Sequence, residues 1–106
     1  MICVSDKELK IILDIIETYA SDCEVWVFGS RYKGTAKNYS DLDLIFVGKE
    51  KLGTNRTGEL REAFQESDLP YHVDVLDWNS ISENFKNIIN KGYEVIYSSH
   101  KNNNSL

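Results

Sequence analysis

Hydrophobic residues in this chain follow two different periods, and the alternation between them predicts the order of helices and strands. In three segments apolar residues recur every three or four positions, which is the spacing of one face of a helix. Short runs rich in β-branched and aromatic residues lie between and after these segments and are typical of strands. The predicted helices cover residues 5–20, about 59–67 and 80–92, and the predicted strands cover residues 25–28, 41–47, 71–77 and 93–97. This order predicts an α/β (α+β) domain in which helices pack against a sheet.

Two of the predicted helices begin with a capping box. Ser5 precedes Glu8 by three positions, and Ser80 precedes Glu83 in the same way. In such a pair each side chain accepts a hydrogen bond from the backbone N–H of the other residue, which fixes the start of a helix. We therefore expect helices to begin at these two serines, whereas the polar segment 48–58 predicts a loop.

Two carboxylates interrupt the apolar run of residues 41–47. Side chains on a strand alternate between its faces, so Asp41 and Asp43 point the same way. A solvated face would also expose Ile45 and Val47, which argues against an ordinary polar surface. Neighbouring carboxylates repel each other and are costly to desolvate unless a cation lies between them. Such oxygen ligands favour Mg²⁺, which completes its shell with water and substrate phosphates, so the pair predicts a site for a metal-bound nucleotide.

A glycine–serine turn precedes the acidic pair. Residues 25–28 predict a buried strand, and Gly29 allows the backbone to turn after it without a Cβ clash. Ser30 can then begin a short helix whose free amides and hydroxyl face an anion. We therefore predict that Gly29 and Ser30 bind phosphate groups.

The strand predicted over residues 71–77 supplies a third carboxylate. Asp74 and Asp77 face opposite sides of this strand, so only one of them can join Asp41 and Asp43. We select Asp74 because it lies in the middle of the strand, and we expect Asp77 to be structural or exposed. Three carboxylates can hold two divalent ions about 4 Å apart, the arrangement that catalyses in-line phosphoryl displacement.

The string GSRYKGTAKNYSDLDL and the later HVDVLD together resemble the signature of the minimal nucleotidyltransferase (MNT) branch of the DNA polymerase beta superfamily. That signature is Gly-Ser, a spacer, Asp-x-Asp and a third acidic residue on a later strand. The resemblance covers about residues 5–97 and implies a nucleotidyltransferase fold with a small mixed sheet of three to five strands. It also implies two Mg²⁺ ions and ATP as substrate. The residues to which it assigns catalytic, metal-binding or nucleotide-binding roles are Gly29, Ser30, Asp41, Asp43 and Asp74.

Cationic and histidine residues near these positions allow more than one interpretation. Arg31 is the best candidate for an additional triphosphate contact because it follows Ser30 directly. Lys33 and Lys37 fit phosphate binding and solvated loop charges equally well. His72 can line the face of Asp74, although an exposed or structurally satisfied histidine is more frequent than a catalytic one.

The acceptor of the nucleotide is a separate question. The resemblance implies transfer of AMP from ATP to an acceptor hydroxyl, and a helical partner of the HEPN family that is encoded nearby. In such pairs the MNT protein is the antitoxin and modifies a tyrosine of the HEPN ribonuclease. Two alternatives stay open: a catalytic subunit whose helical partner holds a small-molecule acceptor, and a non-catalytic antitoxin that neutralises by binding. The intact acidic set favours an enzyme, and we expect a hetero-oligomer.

Length and charge narrow these possibilities. The 106 residues suffice for one core, and we assign residues 1–98 to a minimal nucleotidyltransferase domain and residues 99–106 to a polar, disordered tail. The formal net charge of −5 argues against a nucleic-acid polymer as the main partner. Cys3 and Cys23 match no disulfide or metal-binding spacing, and no segment has the length of a membrane span. We therefore expect a cytoplasmic protein without a membrane partner.

Overall fold

The computed structural model describes residues 2–37 and 40–99. The elements in these ranges are α1 (Asp6–Tyr19), β1 (Glu24–Phe28), α2 (Ser30–Lys33), β2 (Leu42–Val47), α3 (Thr54–Gln65), β3 (Val73–Asp77), a 3₁₀ turn (Trp78–Ser80), α4 (Glu83–Asn90) and β4 (Glu94–Tyr97). Within these residues, no helix has the length and apolarity needed to cross a bilayer. The tail predicted over residues 99–106 lies outside the described residues except for Ser99, which is buried.

The strands form one mixed sheet in the order β3-β2-β1-β4. β1 is antiparallel to both β2 and β4, whereas β2 and β3 are parallel. Parallel neighbours need a crossover connection, and α3 provides it. In this register Asp43 lies opposite Phe28 on one side and opposite Asp74 on the other. The four-stranded mixed sheet confirms the predicted fold class, with β4 at an edge as expected.

Side-chain alternation separates the two faces of the sheet into two hydrophobic clusters. One cluster joins α1 and α3 to the sheet around Leu44 and Phe46, both of which are fully buried. On the opposite face Ile45 packs with Ile89 of α4. Because side chains alternate along β2, Asp43 shares this second face with Ile45. Asp43 therefore lies on the same face of β2 as buried apolar residues, as the sequence pattern predicts.

The helix starts agree with the predicted capping boxes in one case of two. Ser5 caps α1, where its hydroxyl accepts a hydrogen bond from the backbone N–H of Glu8 at 3.1 Å, and the reciprocal bond measures 3.0 Å. The second capping box is wrong, because α4 is capped by Ser82. Ser80 instead ends the 3₁₀ turn, and its hydroxyl donates to Asp77. Two serines lie near this helix start, and only the turn ahead of it decides which of them becomes the cap.

α3 begins earlier than the sequence predicts. It starts at Thr54, and Gly58 lies in its interior rather than in the preceding loop. An interior glycine costs a helix about 1 kcal/mol relative to alanine. The buried side chains of Leu60 and Phe64 anchor the helix to the sheet and outweigh this cost. Tertiary packing therefore extends the helix across a residue that local propensity places in a loop.

Candidate active site

Three carboxylates converge where β2 and β3 begin. Asp43 and Asp74 are register partners on these parallel strands, so their side chains lie next to each other on one face. Asp41 directly precedes β2. Asp41, Asp74 and His72 each offer one ligand atom, and these atoms lie within 4.8 Å of one another. The structure thus brings together the three acidic residues that the sequence analysis selected.

Burial and the neighbouring carboxylates together raise the pKa of Asp43. Its pKa rises from 3.8 to about 6, first because of burial and then because of the charge of Asp74 and a hydrogen bond with it. The charge of Asp41 acts in the same direction, while His72 opposes it. A hydrogen bond between two carboxyl groups requires a proton on one of them, and a bound divalent cation can take the place of that proton.

The donor set fits Mg²⁺. Carboxylate oxygens are the protein ligands that Mg²⁺ prefers, and it keeps several coordination positions for water and phosphate oxygens. The side chain of Asp74 is 46% exposed, which leaves room for such additional ligands. Asp41, Asp43 and Asp74 are therefore the residues that would hold metal ions here. The Nε2 atom of His72, 3.0 Å from Oδ1 of Asp74, adds a nitrogen donor of the kind that suits transition metals.

From the sequence alone, His72 is a weaker candidate for the site than the three aspartates. Its spacing of two residues from Asp74 is the signal that places both on one strand face. The histidine side chain is 68% exposed, so it lines the rim of the acidic cluster rather than its interior.

Gly29 is in direct contact with the acidic cluster. Its φ of +77° belongs to a backbone region that residues other than glycine rarely adopt. A Cβ atom at this position would lie 2.2 Å from Oδ2 of Asp43, closer than any real contact. The turn therefore requires glycine for both reasons, and Ser30, the first residue of α2, directly follows the residue that contacts Asp43.

Asp77 has the structural role that the sequence analysis expects. It belongs to the same strand as Asp74 but faces the opposite side. Its carboxylate accepts hydrogen bonds from the backbone N–H groups of Leu52 at 2.9 Å and Asn79 at 3.0 Å, and from the hydroxyl of Ser80 at 3.0 Å. Asp77 therefore connects the loop before α3 to the end of β3.

The guanidinium of Arg31 is directed toward the protein backbone, and its predicted triphosphate contact stays a prediction. The residue is only 5% exposed, and its guanidinium donates to the carbonyl groups of Cys3, Lys37 and Ser40. The same group lies over the ring of Tyr71, 3.8 Å from its centre. These contacts give the side chain a structural role and direct its donors to the protein backbone.

Two lysines near the turn keep both of their interpretations. Lys33 in α2 and Lys37 beyond it are exposed. Exposure is compatible with solvated charges and with contacts to a nucleotide phosphate.

The raised pKa of Asp43 leads to a prediction for the metal-free protein. A carboxyl whose pKa is higher in the folded state than in the unfolded state contributes stability that falls as the pH rises from about 4 to about 6. At pH 7.5 in EDTA, Asp43→Asn should therefore stabilise the protein. After allowance for solvent screening, the gain in the free energy of unfolding is roughly 1 kcal/mol, which raises the Tm by about 4 °C. The difference should be small near pH 3, where the carboxyl is mostly protonated in both states. Thermal unfolding at both pH values measures it, and a lower Tm for the variant at pH 7.5 would contradict the prediction.

Comparisons with known proteins identify the family of this chain. The family model described as polymerase beta, nucleotidyltransferase matches residues 10–102. A probable protein adenylyltransferase, MntA, from Haemophilus influenzae is 48% identical over 98 residues, which represent 92% of this chain and 86% of that protein.

Solved structures share the fold at lower identity. A toxin–antitoxin complex with AMP-PNP contains a chain that matches with a TM-score of 0.72 at 21% identity, covering 89% of this chain and 76% of that chain. A complex of tri-AMPylated HEPN toxin with MNT antitoxin from Shewanella oneidensis gives a TM-score of 0.68 at 18% identity, covering 92% and 75%. The family-model match and the 48% identical relative show that this chain belongs to the polymerase beta nucleotidyltransferase family.

Proposed function

We propose that this protein transfers AMP from ATP to a tyrosine hydroxyl of a helical HEPN-type toxin, and that it acts as the antitoxin of that pair. The pairing of Asp43 with Asp74 on adjacent parallel strands, with Asp41 in the same cluster, is the observation that carries the proposal. The relative at 48% identity is named a probable protein adenylyltransferase, and a fold neighbour is a complex with an AMPylated HEPN toxin. Both names support this acceptor.

Each residue of the site has a defined task in the proposed reaction. Gly29 and Ser30 bind the terminal phosphates of ATP, and Asp41 and Asp43 would hold two Mg²⁺ ions. When bound, Mg²⁺ stabilises the negative charge that develops on the phosphates and on the leaving pyrophosphate. The partly exposed carboxylate of Asp74 completes the metal site and accepts the proton of the acceptor hydroxyl.

The chemical balance of the step is simple. The acceptor oxygen forms a bond to the α-phosphorus as the bond from that phosphorus to the oxygen bridging to the β-phosphate breaks. AMP stays on the acceptor oxygen, pyrophosphate leaves, and the hydroxyl proton passes to Asp74.

The proposal is tested by incubating the purified protein with Mg²⁺, α-labelled ATP and a HEPN-type toxin encoded beside it. Label on the toxin, and a mass gain of one AMP per modified tyrosine, would support the proposal. Label on a small molecule held by the helical partner would replace the toxin with a different acceptor. A tight complex in which no label moves would show a non-catalytic antitoxin and overturn the proposed activity.

Gly29→Ala should inactivate the site through steric exclusion. The strained backbone should cost about 1–3 kcal/mol of unfolding free energy, and displacement of the Asp43 carboxylate should lower AMP transfer by about 10²-fold. Urea unfolding and label transfer measure the two effects.

Gly53→Ala is the matched control, because Gly53 has a similar backbone conformation (φ +84°, ψ +161°) but open space around the position of a Cβ atom. This variant should be destabilised yet transfer AMP at close to the wild-type rate. Equal losses of transfer in both variants would mean that backbone strain alone explains the Gly29 effect.

A further inference from the structure

The guanidinium of Arg31 donates hydrogen bonds to three backbone carbonyl groups of the described residues. Nε and Nη2 both donate to the carbonyl oxygen of Ser40, at 3.0 and 2.8 Å. Nη2 also donates to Lys37 at 3.3 Å, and Nη1 donates to Cys3 at 2.8 Å. The side chain therefore joins two segments to α2: the one that contains Cys3 and the one before β2 that contains Lys37 and Ser40.

The segment that Arg31 holds leads directly into the acidic pair. The carbonyl of Ser40 belongs to the peptide unit that connects Ser40 to Asp41, and peptide units are planar. Two hydrogen bonds from one guanidinium to this carbonyl oxygen therefore restrain the peptide unit to which the Asp41 backbone nitrogen belongs. Ser40 and Lys37 are also bonded to each other. The N–H of Lys37 donates to the Ser40 hydroxyl at 2.8 Å, and the N–H of Ser40 donates to the Lys37 carbonyl at 3.0 Å. The residue directly before Asp41 is therefore bonded both to Lys37 and, through Arg31, to α2.

Further contacts fix the guanidinium itself. The carbonyl of Arg31 accepts a hydrogen bond from the N–H of Cys3 at 2.8 Å, so this segment is bound by both backbone and side chain. The flat face of the guanidinium lies on the ring of Tyr71, whose hydroxyl donates to Glu8 at 3.0 Å. Tyr71 directly precedes His72, which leads into β3. The same cation therefore contacts the segments that lead to two of the three carboxylates.

We propose that Arg31 is a positioning residue for nucleotidyl transfer, which holds Asp41 at a fixed separation from the phosphate-binding turn of Gly29 and Ser30. The proposal rests on the proposed function for its kinetic consequence. Lysine cannot replace this residue, because an ammonium on a flexible stem lacks the planar fork that binds several carbonyls while stacking on a ring. A misplacement of about 1 Å in such a site can cost 10²-fold in rate.

The test compares Arg31→Lys with Tyr71→Phe. Tyr71→Phe keeps the ring beneath the guanidinium and removes only the hydroxyl bond to Glu8, so it is a control for lost stability. Arg31→Lys should lower kcat by at least about 10-fold and raise the Mg²⁺ concentration needed for half-maximal rate. Tyr71→Phe should lower the Tm but keep both kinetic values. All rates are measured well below the Tm of each variant.

Chemical rescue is a second measurement, and it should give no recovery of kcat if Arg31 contributes to stability alone. In Arg31→Ala, guanidinium ions at non-denaturing concentration should restore part of the kcat, whereas methylammonium at the same concentration should not. Wild-type kcat and Mg²⁺ dependence in Arg31→Lys would overturn the proposal. So would an Arg31→Lys protein that does not fold, or equal kinetic losses in Tyr71→Phe, because each would give Arg31 a role in stability alone.

Failure of the proposed function is distinguishable from failure of this inference. If the wild-type protein transfers no AMP, the proposed activity fails. Mn²⁺ binding measured by electron paramagnetic resonance still tests Arg31. If Arg31 positions Asp41, Arg31→Lys should bind Mn²⁺ more weakly than the wild type and Tyr71→Phe do. Equal Mn²⁺ affinities in all three proteins would overturn the proposal.

Discussion

Replacing Asp41 and Asp43 together with Asn is expected to lower the rate of AMP transfer by about 10³-fold or more. Asn keeps the shape of the side chain but removes both charges, and the proposed mechanism needs these charges to hold two divalent ions against a triphosphate. The apolar core on the far side of the sheet is untouched, and we expect the variant to fold and to bind its partner. Single-turnover transfer of labelled AMP measures the loss.

The control for this double variant must change the net charge equally. Asp14→Asn with Asp68→Asn removes two exposed carboxylates outside the cluster, and this protein should transfer AMP at the wild-type rate. Undiminished transfer by the Asp41 and Asp43 variant would disprove the catalytic assignment. If that variant also protected cells from the toxin fully, the protein would act by binding.

Asp74→Asn should lower the transfer rate by about 10² to 10⁴-fold, because Asn cannot accept the proton of the acceptor hydroxyl. Asp41 and Asp43 remain to bind the metal nucleotide, so the loss should appear mainly in kcat and less in the KM for ATP. Steady-state kinetics over a range of ATP concentrations separates the two effects.

Asp77→Asn is the control from the same strand. It disturbs three hydrogen bonds on the opposite face, so it should lower the free energy of unfolding by about 1–3 kcal/mol. Its transfer rate, measured below its Tm, should stay close to that of the wild type. The reverse pattern, with transfer lost in Asp77→Asn and kept in Asp74→Asn, would exchange the roles of the two residues.

The acidic site was predictable because it depends on a local rule with little ambiguity. Strand alternation alone places Asp41 and Asp43 on one face and separates Asp74 from Asp77. The structure adds only the register that makes Asp43 and Asp74 neighbours.

Arg31 was not predictable by the same reasoning. Its place after Ser30 suggests a phosphate contact, but the direction of its side chain depends on Cys3 and Tyr71, which lie far away in the sequence. The start of α3 likewise depends on packing against the sheet, and the cap of α4 depends on the turn ahead of it. Sequence reasoning therefore fails here wherever a residue's role is set by tertiary neighbours rather than by its own element.

The contact between Gly29 and Asp43 limits which residues position 29 can accept. Since a Cβ atom at position 29 would overlap the carboxylate at position 43, the two halves of the signature form one steric unit despite their distance in the sequence. No side chain can enter at the turn while the Oδ2 atom of Asp43 keeps its place. In a relative with this geometry, a residue other than glycine at the turn would by itself identify a displaced site, even where every aspartate is retained.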